Sequence, residues 1–186
     1  CMEELNLNCN FLAYKRLVGL PFPKILELLS LSEYEKELTR AYFSHTKKLA
    51  GDVKAFCGVH EVFSWALKEG YSTSIITSKP RENAENLCDK LEISPDHLVC
   101  GDDHRHGKPN RSVADSVLER FQLDPKNLVY VGDMAVDLQF AINVGMNFIF
   151  FEGEGLNRLP SNIVNRVPCI SCLTELVDCD FELFFN

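Results

Sequence analysis

Two aspartates four residues apart, Asp133 and Asp137, follow an apolar run in the segment Val129-Tyr130-Val131-Gly132-Asp133-Met134-Ala135-Val136-Asp137. Gly132 permits close backbone approach, Asp133 sits at the tip of a predicted strand, and Asp137 falls in the first turn of the helix that follows. Hard carboxylate oxygens so placed suit Mg²⁺, which typically takes one or two carboxylates and keeps its other positions for water and substrate phosphate. The plainer alternative is that both acids simply favour a helix N-terminus, an effect worth about 0.3–1 kcal/mol each. An apolar strand running straight into Gly-Asp, with a second Asp one turn later, favours the metal.

Two further segments have the composition of a phosphate site. In Thr77-Ser78-Lys79-Pro80, a hydroxyl and free backbone N–H groups at a helix N-terminus would form an oxyanion and phosphate cradle, with Thr77 and Ser78 as its donors. Thr and Ser are equally common as plain helix caps. In Gly107-Lys108-Pro109-Asn110, the Lys108 ammonium would neutralise charge on a transferring phosphoryl group. The alternative is an exposed lysine in a polar loop, which the flanking Asp102, Asp103, His104, Arg105 and His106 make plausible.

The elements that must hold these residues can be read from the pattern of apolar positions. Residues 12–50 read as helical, with Leu38, Tyr42, Phe43 and Leu49, and Ile25, Leu28 and Leu29 after Pro23, near helical spacing. From Gly51 onward short apolar runs alternate with amphipathic segments. Strands are predicted over 72–77, 97–100, 127–131 and 147–151, and helices over 58–69, 80–91, 111–121 and 135–144. A short strand over 167–170 precedes a last helix. Strands apolar on both faces and separated by helices imply an α/β fold, a doubly wound parallel sheet with right-handed crossovers. In such sheets ligands bind at the carboxyl ends of the strands, where Thr77, Lys108 and Asp133 all lie.

Composition narrows the classes. With 27 acidic and 19 basic residues the chain carries a net charge of −8, and its longest basic cluster is Lys47-Lys48, so nucleic acid is not an expected partner. Apolar runs such as residues 148–151 are far below the roughly 20 residues of a membrane helix. The start, Cys1-Met2-Glu3-Glu4, lacks the basic and then apolar run of a signal peptide. Eight scattered cysteines in a chain this apolar read as reduced thiols of the cytoplasm, not as a disulfide framework. The CxxC spacing of Cys169 and Cys172, with Cys179 nearby, has no second CxxC beside it and reads as buried free thiols, not as a metal or redox pair. The ending Phe181-Glu182-Leu183-Phe184-Phe185 is expected to pack on the chain's own core rather than on a protein partner. Oligomeric state has no sequence signal.

Taken in order and spacing, these segments resemble the later motifs of the haloacid-dehalogenase superfamily of phosphohydrolases. Thr77 matches its second motif, Lys108 its third, and Gly132-Asp133-Met134-Ala135-Val136-Asp137 its fourth. The run Ala141-Ile142-Asn143-Val144-Gly145-Met146 is similar to that family's helix ending. Thr77-Ser78-Lys79-Pro80 and Gly107-Lys108-Pro109 resemble most the phosphoglycolate-phosphatase-like branch, and Val18-Gly19-Leu20-Pro21 resembles a turn in that branch's helical cap. The resemblance implies a Rossmannoid core over 51–186 and a small, incomplete helical cap over 1–50. It also implies a Mg²⁺-dependent phosphatase acting on a small phosphorylated metabolite. Thr77, Ser78 and Lys108 would bind the phosphoryl group, Asp133 and Asp137 would serve the metal, and Asp137 would orient a metal-held water or Lys108.

The family's nucleophile is absent. It belongs to an Asp-x-Asp pattern on a central first strand, preceding the cap, where one carboxylate attacks phosphorus and the other acts as acid and base. Asp102-Asp103 lacks that spacing and the preceding apolar strand. Without a first strand, two central edges of the sheet would be unpaired. The sequence, which does not begin with Met, is therefore expected to start inside the cap of a longer domain and to be inactive by itself. A phosphosugar mutase on the same core, and a phosphate-binding or regulatory pseudoenzyme, are the alternatives.

Overall fold

The computed structural model describes residue 5, residues 7–153, residues 159, 163 and 166–179, and residue 181. The chain divides into two compact units, Cys1–Lys54 and Ala55–Asn186. The first residues, Cys1-Met2-Glu3-Glu4, and the ending Leu183, Phe184 and Phe185 lie outside the described residues.

In the first unit the helical reading of residues 12–50 resolves into three helices, α1 (Phe11–Leu17), α2 (Phe22–Leu28) and α3 (Glu35–Leu49). Asn10 starts α1 by accepting the Leu12 and Ala13 N–H groups at 2.9 and 3.4 Å, satisfying donors that a helix start leaves open. The chain reverses at Gly19, whose φ of 101° lies where a side chain is disfavoured. Leu26, Leu31 and Leu38 form the small core, and Phe22 stacks on Tyr42 with ring centres 4.8 Å apart. Leu28 and Leu49, expected on the apolar face, are exposed instead. Leu26 of α2 and Leu31, beyond the turn that ends it, are buried in their place.

The second unit runs α4 (Val59–Glu69), β1 (Ser74–Ile76), α5 (Arg81–Lys90), β2 (His97–Val99), α6 (Asp115–Phe121), β3 (Val129–Gly132), α7 (Ala135–Val144), β4 (Asn147–Phe151) and β5 (Cys169–Ile170). Among the described residues the strand pairings, β1 with β2, β3 with β4 and β4 with β5, are parallel. The fold is the expected α/β one. Strand 72–77 shortens to three residues. The helix expected over 111–121 opens as a 3₁₀ turn, Arg111–Ala114, capped by the Asn110 side chain, which accepts the Ser112 N–H at 3.0 Å. The last helix is a single 3₁₀ turn, Leu173–Leu176.

Strand alternation decides which side chains meet. On β4, Phe148 and Phe150 point to one face and pack with Ala141 of α7, while Ile149 and Phe151 point to the other and pack with Ile170 and Leu176. On β3, Tyr130 joins the α7 face, and Val129 and Val131 join the opposite one, where Val62 of α4 also packs. Phe181 takes part in that second cluster and lies 5.6 Å from the Trp65 ring, so the described part of the C-terminal segment does pack on the core.

No described strand pairs β1 with β3. Both nevertheless rest on one hydrophobic cluster, since Ile76 of β1 and Tyr130 of β3 pack against the cluster that holds Val99 of β2, Val113, Val117 and Phe140. The sheet is split while the layer beneath it is continuous. Among the described residues no helix is long and apolar enough to cross a membrane.

One expectation is overturned here. Cys169 is exposed and Cys172 partly exposed, so they are not buried thiols. β5 has only two residues at the margin of the sheet, too short to bury the turn that follows it.

Candidate active site

Asp137 is positioned by the start of α7. It is the third helical residue, and its Oδ2 accepts the Met134 N–H at 3.2 Å, closing the helix end on itself. The carboxylate thereby lies over Gly132. A Cβ on Gly132 would sit 2.8 Å from Asp137 Cγ and 2.9 Å from Oδ2, closer than such atoms approach. The glycine in this motif therefore makes room for Asp137 itself. Gly132→Ala is expected to push the carboxylate off its partners and cost about 1–3 kcal/mol, as overpacking typically does; an unchanged melting temperature would refute this.

Lys108 reaches Asp137 from the loop after β2. Asn143 Nδ2 of α7 donates to Pro109 O at 2.7 Å and ties that loop to the helix. The Lys108–Pro109 peptide bond is cis. Lys108 Nζ donates to Asp137 Oδ1 at 2.6 Å and to the Tyr130 hydroxyl at 3.0 Å, and that hydroxyl lies 3.2 Å from the same Asp137 oxygen. Lys108 is 8% exposed and Asp137 3%. The exposed-lysine alternative is thus excluded, and two of the polar neighbours that suggested it, Asp102 and Asp103, have other partners. Asp103 forms a 2.6 Å ion pair with Arg81 and accepts the Cys100 N–H, while Asp102 accepts the Arg81 N–H at 2.8 Å.

The electrostatics follow from burial. Desolvation alone would pull the Lys108 pKa down, but Tyr130 and Asp137 outweigh it and the net shift is upward, so the side chain remains an ammonium. Burial pushes the Tyr130 phenol up to about 12, keeping it a neutral hydroxyl. The Asp133 carboxyl is also raised, first by burial and then by the neighbouring Asp137 charge, with its own backbone N–H and Lys108 opposing. Asp133 is therefore a half-buried carboxylate beside a cation already committed to another carboxylate.

A divalent cation would supply the missing charge. The described residues contain no cluster of three metal-ligating side chains. One or two carboxylates at a strand end fit Mg²⁺, which leaves positions for water and phosphate.

Thr77 and Ser78 follow β1 at the same carboxyl end of the strands. The Thr77 N–H continues the pairing to Val99 O at 2.9 Å, and its hydroxyl accepts the Lys79 N–H at 3.2 Å. The free N–H groups expected in this turn are thus partly used, since Lys79 bonds Thr77 and Arg81 bonds Asp102. The structure brings Lys108, Asp133 and Asp137 together; the bonds made by Thr77 run to its own turn and to β2. Tyr130 and Asn143 were not legible as site residues. The signal for Tyr130 was its parity with Gly132 on β3, which puts both on the face that Asp137 covers.

The second unit is thus a parallel α/β domain that gathers a buried lysine and two aspartates at the ends of its strands. Residues 3–151 match the family model for the haloacid dehalogenase-like hydrolases, and the chain belongs to that family. A phosphorylated carbohydrates phosphatase of Thermotoga maritima is 23% identical over 151 residues, 77% of this chain and 70% of that protein. A phosphoglycolate phosphatase of Nitrosospira multiformis is 27% identical over 145 residues, 72% of this chain and 61% of that protein. The chain thus spans roughly two thirds of the length of these relatives. In fold it is similar to a hydrolase from Pseudomonas syringae, with a TM-score of 0.84 at 17% identity over 98% of this chain and 87% of that one.

Proposed function

We propose that this chain carries the phosphate- and metal-binding part of a Mg²⁺-dependent phosphatase acting on a small phosphorylated metabolite. The observation that carries the reading is the buried Lys108, held as a cation by Asp137 and Tyr130 beside Asp133. An ammonium has three N–H donors. Two point at Asp137 and Tyr130, and the third serves a phosphoryl oxygen. Thr77 and Ser78 supply hydroxyl and backbone donors from β1. Asp133 is the metal's carboxylate, and Asp137 contributes by fixing Lys108 and through the free lone pair of Oδ2. When bound, Mg²⁺ neutralises and orients the phosphoryl group.

The attacking carboxylate belongs, in this reading, to a strand lying between β1 and β3, the one place in the sheet where two described edges face a shared core without pairing. The Asp-x-Asp of this sequence, Asp178-Cys179-Asp180, follows the 3₁₀ turn Leu173–Leu176 and not a strand, so residues 1–186 alone are expected to turn over no phosphate ester. The helical unit, as a partial cap, contributes to substrate choice. A reducing cytoplasm suits the number of free thiols.

The test is titration calorimetry with inorganic phosphate, with and without Mg²⁺, on the wild type and Thr77→Val, together with phosphate release from sugar phosphates and phosphoglycolate. Mg²⁺-dependent phosphate binding weakened about tenfold by Thr77→Val, the loss of one charge-assisted hydrogen bond, supports the proposal. Phosphate release that persists after Asp133→Asn would overturn the site, and an isomeric phosphate ester as product would identify a mutase instead.

A further inference from the structure

Outside this site, two cysteines far apart in sequence are brought together by packing that owes nothing to their thiols. Cys57 lies in the segment leading into α4, just after the boundary between the two units. Cys172 lies in the turn after β5. Gly58, at φ +88°, is pressed onto that turn so closely that a Cβ there would stand 2.6 Å from Thr174 N and 3.0 Å from Thr174 Cγ2. On the inner side Val62 of α4 and Leu173 share a cluster with Ile170 and Leu176. The Cys172 turn is itself pinned, since Glu175 Oε1 accepts the N–H groups of Ser171 and Cys172, both at 2.8 Å.

As a result the Cys172 thiol donates to the backbone Cys57 O at 3.7 Å, across 115 residues of sequence. The Cys172 sulfur thus sits against the backbone of Cys57. We propose that Cys57 and Cys172 are a redox modification site, a dithiol that peroxide closes to a disulfide.

The two sulfurs have different roles. Cys172 accepts a hydrogen bond from Thr174 Oγ1 at 3.1 Å. Donors of this kind, the Thr174 hydroxyl first and its backbone N–H second, lower the Cys172 pKa, while the interaction with Cys172 raises that of Cys57. Cys172 is therefore the nucleophile and Cys57, which is exposed, the resolving thiol. The Cys172 thiolate attacks one peroxide oxygen, the O–O bond breaks, and the departing hydroxide takes a proton to become water. The Cys57 thiolate then attacks the sulfenic sulfur, the S–O bond breaks, and a second water leaves. Two thiols and one hydrogen peroxide give one disulfide and two waters, with two electrons passing from sulfur to oxygen. The bond would staple the segment entering α4 to the turn after β5 and restrict the unfolded chain over a long loop.

The experiment treats the reduced full chain with stoichiometric hydrogen peroxide, blocks residual thiols and maps an unreduced digest by mass spectrometry. A peptide linking Cys57 to Cys172, lost on reduction, is expected, with a melting temperature raised by about 5 °C or more. In Cys57→Ser, a dione probe should label Cys172 as sulfenic acid; in Cys172→Ser, Cys57 should remain a free thiol. Equal alkylation of both residues before and after peroxide would overturn the proposal. So would a dominant link from Cys172 to Cys169.

Discussion

Asp137→Ala is expected to destabilise the second unit by about 3–5 kcal/mol, because it leaves the Lys108 ammonium buried without its counter-charge. The pair is 2.6 Å long with both side chains at 9% exposure or below, so solvent cannot replace the lost carboxylate. Tyr130 remains as a partner, but a neutral hydroxyl offers a lone pair and no charge. Thermal unfolding should register this as a fall of about 10 °C, taking about 2–4 °C per kcal/mol for a chain of this size. A second substitution separates charge from packing. If the cost is the orphaned ammonium, Lys108→Met added to Asp137→Ala should recover part of the stability, giving a coupling energy of about 1–3 kcal/mol in the double-mutant cycle. Strict additivity, or an Asp137→Ala chain that melts with the wild type, would mean that the pair is solvated and would remove the structural basis of the site.

The two halves of that pair were unequally visible in the sequence. Asp137 announced itself through the apolar strand and Gly-Asp that precede it, a local signal in which β3, α7 and β4 could all be placed. The bounds Ala135–Val144 and Asn147–Phe151 agree with the sequence reading because each is closed by turn residues and patterned on its own period. Lys108 lies among charged neighbours, and its burial depends on Asn143 anchoring the loop from 34 residues away. Tyr130 is harder still, since a tyrosine within an apolar run reads as core. Its hydroxyl becomes functional only through the register that sets Tyr130 opposite Phe148 and turns both toward α7. The proximity of Cys172 to Cys57 had no local trace, being produced by a glycine contact between segments with 115 residues between them. Among the described residues no strand pairs β1 with β3.

Asp133 and the metal call for a different measurement, because the carboxylate is expected to be a liability until a cation binds. Burial and the Asp137 charge both oppose its ionised form, so Asp133→Asn should melt at or above the wild type in metal-free buffer. With Mg²⁺ the order should reverse. A ligand that binds only the folded state stabilises by RT ln(1 + [L]/Kd), about 2.7 kcal/mol at one hundred times Kd. Millimolar Mg²⁺ should therefore raise the wild-type melting temperature by several degrees and leave Asp133→Asn nearly unmoved. Adding phosphate should enlarge the wild-type shift, since a phosphoryl oxygen takes a position that water otherwise holds. A shift in both proteins alike would place the cation elsewhere on this acidic chain, and no shift in either would leave Asp133 as a helix-end charge. Only a Mg²⁺ effect that disappears with this one carboxylate connects the buried lysine, through Asp133, to phosphoryl chemistry.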